Sequence, residues 1–191
     1  MAEMNEPAAD LQQTLLLQAA SGDPGAAREL LDATSSTIYG FIFARVGGVQ
    51  ETAEDLTQAT YVEALRSART YRGEAALETW LCAIARRQVA KHYESERRRE
   101  RLERKLRLVA EDPGTEDQPE DESFVDVEAM IAALGRLTAL HRQVLVLKYL
   151  DGRSVEQIAD ELGRSKVQIQ SLLQRARAGL KRELQSGRPD D

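Results

Sequence analysis

Three polar residues, Ser165, Lys166 and Gln168, crowd the head of a helical pattern in the last third of the chain. Lysine and glutamine side chains can hydrogen-bond guanine and adenine edges in a DNA major groove, and serine is a residue that caps a helix start. A second set lies near the middle. Tyr71 and Arg72 stand beside Gly73, and Arg86, Arg87, Lys91, Arg97, Arg98 and Arg99 follow on one helical pattern. An aromatic ring and a guanidinium on a loop suit stacking on unpaired bases, and a basic helix face suits phosphates. A third set is acidic: Glu51, Glu54 and Asp55 cluster where another amphipathic helix starts, a patch suited to the basic face of a partner protein. Nothing is arranged for covalent or metal chemistry. His92 and His141 are isolated, Cys82 is the one cysteine, and no glycine-rich phosphate loop occurs. No catalytic residue, cofactor or metal is expected.

The elements that must position these groups read as helices. Leu134, Leu137, Leu140, Val144 and Leu147 recur at helical spacing and predict one amphipathic helix, broken at Asp151-Gly152. Ser154 followed by Gln157 is a capping box opening a short helix, and Gly163 stops it. Ser165 followed by Gln168 is a second capping box, opening a longer helix whose Ile169, Leu173, Ala176 and Leu180 make a buried stripe. Lys166, Gln170, Gln174, Arg175 and Arg177 lie off it. This is the pattern of a helix-turn-helix, with a purely structural helical hairpin as the alternative. Farther upstream Leu77, Trp80, Leu81, Ile84 and Ala85 fit one face of a helix, which reads Trp80 as a core aromatic. For Tyr71, base stacking and core packing both stay open.

Composition agrees with an all-α chain. Of 191 residues, 5% are aromatic and only 17 are glycine or proline, so a turn-rich sandwich or barrel is excluded. The formal charge is −6, but it is unevenly spread: −7 over residues 1–85, +6 over 86–107, −9 over 108–128 and +4 over 129–191. Two basic blocks around an acidic connector suggest two surfaces for a polyanion. Residues 111–121 read EDPGTEDQPED, a segment too polar to offset its ordering entropy. The expected organisation is therefore a helical domain at 10–106, a flexible acidic linker at 107–127 and a second helical domain at 128–185. The acidic start is unlike a secretory signal, and no apolar run approaches the ~18 residues of a membrane span. A cytoplasmic location without membrane insertion is expected.

The order SGDPGAARELL (21–31), AEDLTQATYVEAL (53–65), TYRG (70–73), ETWLCAIARRQVAKHY (78–93) and the run from Leu137 to Leu180 resembles bacterial RNA polymerase sigma factors of the extracytoplasmic-function group. The resemblance implies sigma region 2 followed by a linker and sigma region 4. It implies that the first domain binds the clamp helices of core RNA polymerase through Glu54, Asp55 and Gln58. It also implies that this domain opens the minus-ten element, with Tyr71, Arg72, Arg86, Arg87 and Lys91 on the DNA. The second domain would touch the polymerase flap and read the minus-35 element through Arg164, Ser165, Lys166, Gln168, Gln170 and Arg175. Such a protein is a promoter-specificity subunit, a partner of core polymerase, of promoter DNA and of an anti-sigma factor.

The departures from that family are informative. Thr52 and Ala59 stand where the family carries carboxylates, Arg87 replaces an asparagine, and Gln170 and Leu172 replace cations of the reading helix. The lost cations imply weaker phosphate affinity unless Arg164 and Lys166 compensate. Thr52, Thr57 and Thr60 lie near the two missing carboxylates, and a phosphate adds about −1.5 to −2 charge. Phosphorylation of Thr52 by a threonine kinase is therefore an expected route of control, set against the reading of these threonines as ordinary polar surface. Two other function classes stay open: a helix-turn-helix regulator working without polymerase, and a sigma-like antagonist of polymerase.

Overall fold

A computed structural model describes residues 6–106 and 127–186, so the acidic connector lies, but for Val127, outside the described residues. The elements are α1 (Glu6–Ala20), α2 (Pro24–Arg45), α3 (Gln50–Arg66), a 3-10 turn (Ala68–Thr70), α4 (Leu77–Leu106), α5 (Val127–Arg136), α6 (Ala139–Leu145) with a π turn at Val146–Leu150, α7 (Val155–Leu162) and α8 (Lys166–Ser186). Among the described residues there is no strand, and no helix is long and apolar enough to cross a membrane. The all-α expectation holds. The chain divides into two compact units, residues 1–44 with 49–91 and residues 45–48 with 92–191, so α4 contributes to both.

In the first unit, Leu30, Thr34, Ile38 and Ile42 repeat every four residues and form the buried stripe of α2. The one polar member is satisfied: the Thr34 hydroxyl donates to the Leu30 carbonyl at 2.7 Å, and the Tyr61 hydroxyl of α3 lies 2.6 Å away. Ala53, Thr60, Tyr61 and Ala64 bury the matching face of α3, while Leu77, Leu81, Ile84 and Ala85 bury that of α4. Each fully buried large aliphatic side chain contributes roughly 1.5–3 kcal/mol. α1 packs on α3 and on the 3-10 turn, with Leu16 fully buried.

The second unit is centred on Leu134, Val144, Leu145, Leu147, Ile158, Ile169, Leu172 and Leu173. One sequence expectation needs correction here: the apolar run from Leu134 to Leu147 is two helices. Thr138 leaves the helical region (φ −59°, ψ 152°), and its hydroxyl accepts the His141 N–H, so α6 has its own cap. The break turns Arg142 inward. Its Nη2 donates to Glu96 Oε2 at 3.1 Å, and Nη1 to the Val46 carbonyl at 3.2 Å. Arg45 pairs with Asp151 at 2.9 Å, both side chains nearly inaccessible. Gly47, at φ +72°, meets Gly135 backbone to backbone: a Cβ on Gly47 would stand 2.5 Å from the Gly135 Cα. Both glycines are needed for that approach.

Candidate nucleic-acid and polymerase interfaces

α1 holds the loop that follows the 3-10 turn. Gln13 Nε2 donates to the Tyr71 carbonyl at 2.9 Å, and Gln12 Oε1 accepts the Leu77 N–H at 3.1 Å. The Tyr71 hydroxyl donates to the Ala75 carbonyl at 2.8 Å and lies 3.0 Å from Gln12 Oε1. Tyr71 is only 2% exposed, which raises its hydroxyl pKa by desolvation. Of the two readings left open from the sequence, that burial favours core packing. Trp80, expected in the core, is half-buried instead, its ring centroid 5.4 Å from that of Tyr71. With Thr70, Arg72, Glu74 and Ala75 the two aromatics line an open depression of about 380 Å³. Arg72 is exposed at its rim.

The basic residues of α4 in this unit are not equivalent. Arg87 and Lys91 are exposed, whereas Arg86 is half-buried with its guanidinium 5.5 Å from the Phe41 ring centroid. That contact gives Arg86 a packing role. On α3, Glu54, Asp55 and Gln58 are all exposed, on the side away from buried Ala53, Thr60 and Tyr61. The Gln50 amide donates to Glu54 Oε1 at 2.8 Å, so Asp55 is the less engaged of the two carboxylates. Thr60 is buried and Thr57 donates to the Ala53 carbonyl at 2.7 Å, while Thr52 is half-buried in the first turns of α3.

In the second unit both capping boxes form. Ser154 Oγ accepts the Gln157 N–H at 3.2 Å while Gln157 Oε1 accepts the Ser154 N–H at 2.9 Å. Ser165 and Gln168 repeat the pattern with the same distances. Between them Gly163 closes α7 in the left-handed region at φ 61°. α7, the turn and α8 are thus the helix-turn-helix expected from the sequence. Its tip is more self-engaged than the residue types suggested. Lys166 Nζ lies 2.9 Å from Glu156 Oε1, and the Glu156 carboxyl is held down to about 2, first by that lysine. Gln168 has its carbonyl folded back into the cap, where it accepts the Ser165 N–H, so a two-point adenine contact would have to share that oxygen with the cap. Gln170 and Arg175 are exposed, Arg175 Nε lying 3.4 Å from the Ser171 carbonyl, and Arg164 is half-exposed. Leu172 is 4% exposed within the core, so the residue expected to stand for a lost surface cation is a packing residue.

Sequence reasoning missed Gln12 and Gln13, two adjacent amides among other polar residues of α1, and it misjudged Trp80. Two family models match the chain: residues 30–99 match Sigma-70 region 2, and residues 128–180 match Sigma-70, region 4. The ECF RNA polymerase sigma factor BldN of Streptomyces coelicolor is 35% identical, over 97% of this chain and 70% of that protein. The ECF RNA polymerase sigma factor SigC of Mycobacterium tuberculosis is 34% identical, over 93% and 91%. The RNA polymerase sigma factor YlaC of Bacillus subtilis is 31% identical, over 81% and 89%.

Proposed function

We propose a division of labour along the chain from one premise: it belongs to the sigma-70 family of RNA polymerase sigma factors, in the extracytoplasmic-function group. As such it is a promoter-recognising subunit of RNA polymerase and a transcription initiation factor. A match to region 2 as well as region 4 sets aside a helix-turn-helix regulator working without polymerase. Residues 10–106 act as region 2 and 128–185 as region 4, with 107–127 between them. The exposed face of α3 at Glu54, Asp55 and Gln58 binds core polymerase. Arg87, Lys91 and Arg72 bind the minus-ten strand, and α8 reads the minus-35 element with Lys166, Gln170 and Arg175, while Ser165 and Gln168 hold its first turn.

The observation that carries the strand-opening role is the depression beside Trp80. Its ~380 Å³ falls in the range of about 300–1,000 Å³ typical of small-ligand sites, and it offers one half-exposed aromatic and one exposed guanidinium to an unstacked base. Trp80→Ala is expected to lower promoter opening by holoenzyme, read as permanganate reactivity of minus-ten thymines, by the roughly 1–3 kcal/mol of a stacked base. Association with core polymerase should not change. Undiminished reactivity in the variant removes Trp80 from strand capture.

A further inference from the structure

The buried positions of α8 are Ile169, Leu172, Leu173, Ala176 and Gly179. Its opposite face runs through Val167, Ser171 and Gln174, at i, i+4 and i+7, all exposed. Two of these are polar. Val167 is 73% exposed, the most exposed large apolar side chain among the described residues. A lone surface valine normally calls for no explanation, but this one occupies the second position of the second helix of the helix-turn-helix. That turn is the part such motifs present to base edges. A β-branched residue has no helix-forming advantage there, and none of the described residues covers it.

The neighbours sharpen the point. The Lys166 ammonium is held by Glu156, and the Ser165 hydroxyl and Gln168 carbonyl close the capping box. These contacts brace the first turn of α8 and leave the valine methyls standing clear of it. In a major groove, the one apolar group that a base pair presents is the C5-methyl of thymine. We infer that Val167 determines specificity by seating against the C5-methyl of a thymine in the minus-35 element. The inference rests on α8 being the reading helix. It gives this position a preference for thymine over cytosine that no hydrogen bond from the tip supplies, and 5-methylcytosine should stand in for thymine there better than cytosine does.

The test uses the full chain bound to core RNA polymerase. Duplexes are selected by this holoenzyme from a pool randomised over the upstream element, and each thymine of the winner is replaced in turn by deoxyuridine. At one position, loss of the methyl should weaken binding by the wild-type holoenzyme about fourfold, the worth of one buried methyl-sized group. Val167→Ala should bind the thymine duplex about fourfold less well and show no further loss with deoxyuridine there. Val167→Thr, which keeps one γ-methyl, should retain part of the difference. Equal deoxyuridine penalties in wild type and Val167→Ala at every position overturn the inference. So does weaker association of Val167→Ala with core polymerase in the absence of DNA, which would place the side chain against protein. A pool that yields no upstream element at all overturns the reading of α8 itself, and the inference with it.

Discussion

Arg142→Ala lowers the stability of the second unit by about 3–5 kcal/mol, the cost of breaking a buried ion pair from one side. The Arg142 side chain is 7% exposed. It donates to Glu96 and to the Val46 carbonyl, with the Gly135 carbonyl 3.4 Å from Nη1 and the Tyr93 ring centroid 5.7 Å from the guanidinium carbon. Truncation leaves two backbone carbonyls without this donor and a half-buried carboxylate with less compensation. The pH dependence has a definite sign. The Glu96 carboxyl is held below its ordinary 4.5, first by the His92 hydrogen bond and then by the Arg142 charge, against a desolvation that acts the other way. A carboxyl depressed in the folded state stabilises fully above about pH 5, and that contribution fades as pH falls through the folded pKa. Arg142→Ala should therefore also flatten the acid limb of the stability profile. Urea unfolding of the full chain at pH 7 and at pH 4 measures both effects. A loss below about 1 kcal/mol at pH 7 would mean that this arginine faces water in solution.

Asp55→Lys weakens association with core RNA polymerase by about 30-fold or more, the lower end of the 2–5 kcal/mol that follows loss of one member of a close interfacial charge pair. Asp55 is exposed on α3, away from the buried Ala53 and Tyr61, so reversing its charge should change stability by no more than about 0.5 kcal/mol. That separation makes the result readable. On the proposed reading of this face, with Thr52 and Ala59 uncharged, the attraction would fall on Glu54 and Asp55, and Glu54 is already engaged by the Gln50 amide. Titration of the purified variant against core polymerase, beside the same variant's unfolding curve, gives both numbers. An unchanged dissociation constant would move the contact off this face.

The features legible in the sequence were those written within three or four residues of each other. The capping boxes at Ser154 and Ser165 and the left-handed Gly163 between them are local in this sense and stand as read, as do Ile169, Leu173 and Ala176 of the α8 stripe, whose Leu180 is only partly buried. What was not legible depends on distant partners. The loop that encloses Tyr71 is held by Gln12 and Gln13, nearly 60 residues earlier in the chain. Arg142 sits on a sequence face that reads as polar and is buried because Glu96, 46 residues away, meets it. The division of α5 from α6 is hidden by leucines spaced as though for one helix, and Thr138 lacks the glutamate or glutamine three residues on that flagged the other two caps. Leu172 shows the reverse error: comparison with the family's cation placed it outside, while its own apolar type belonged to the core.

The central claim, that this chain directs polymerase to promoters by reading the minus-35 element through α8, is tested most directly by run-off transcription. Core RNA polymerase is supplied with the full chain and a library of genomic upstream fragments, beside the variant Lys166→Ala/Gln170→Ala. The account predicts discrete transcripts that depend on the added chain and share an upstream element. It also predicts that the variant, with core binding intact, loses those transcripts by roughly the 1–3 kcal/mol of each base contact removed. Transcripts of the same identity and yield with and without the added chain, or tight binding of the free chain to duplex DNA with no initiation, would contradict it.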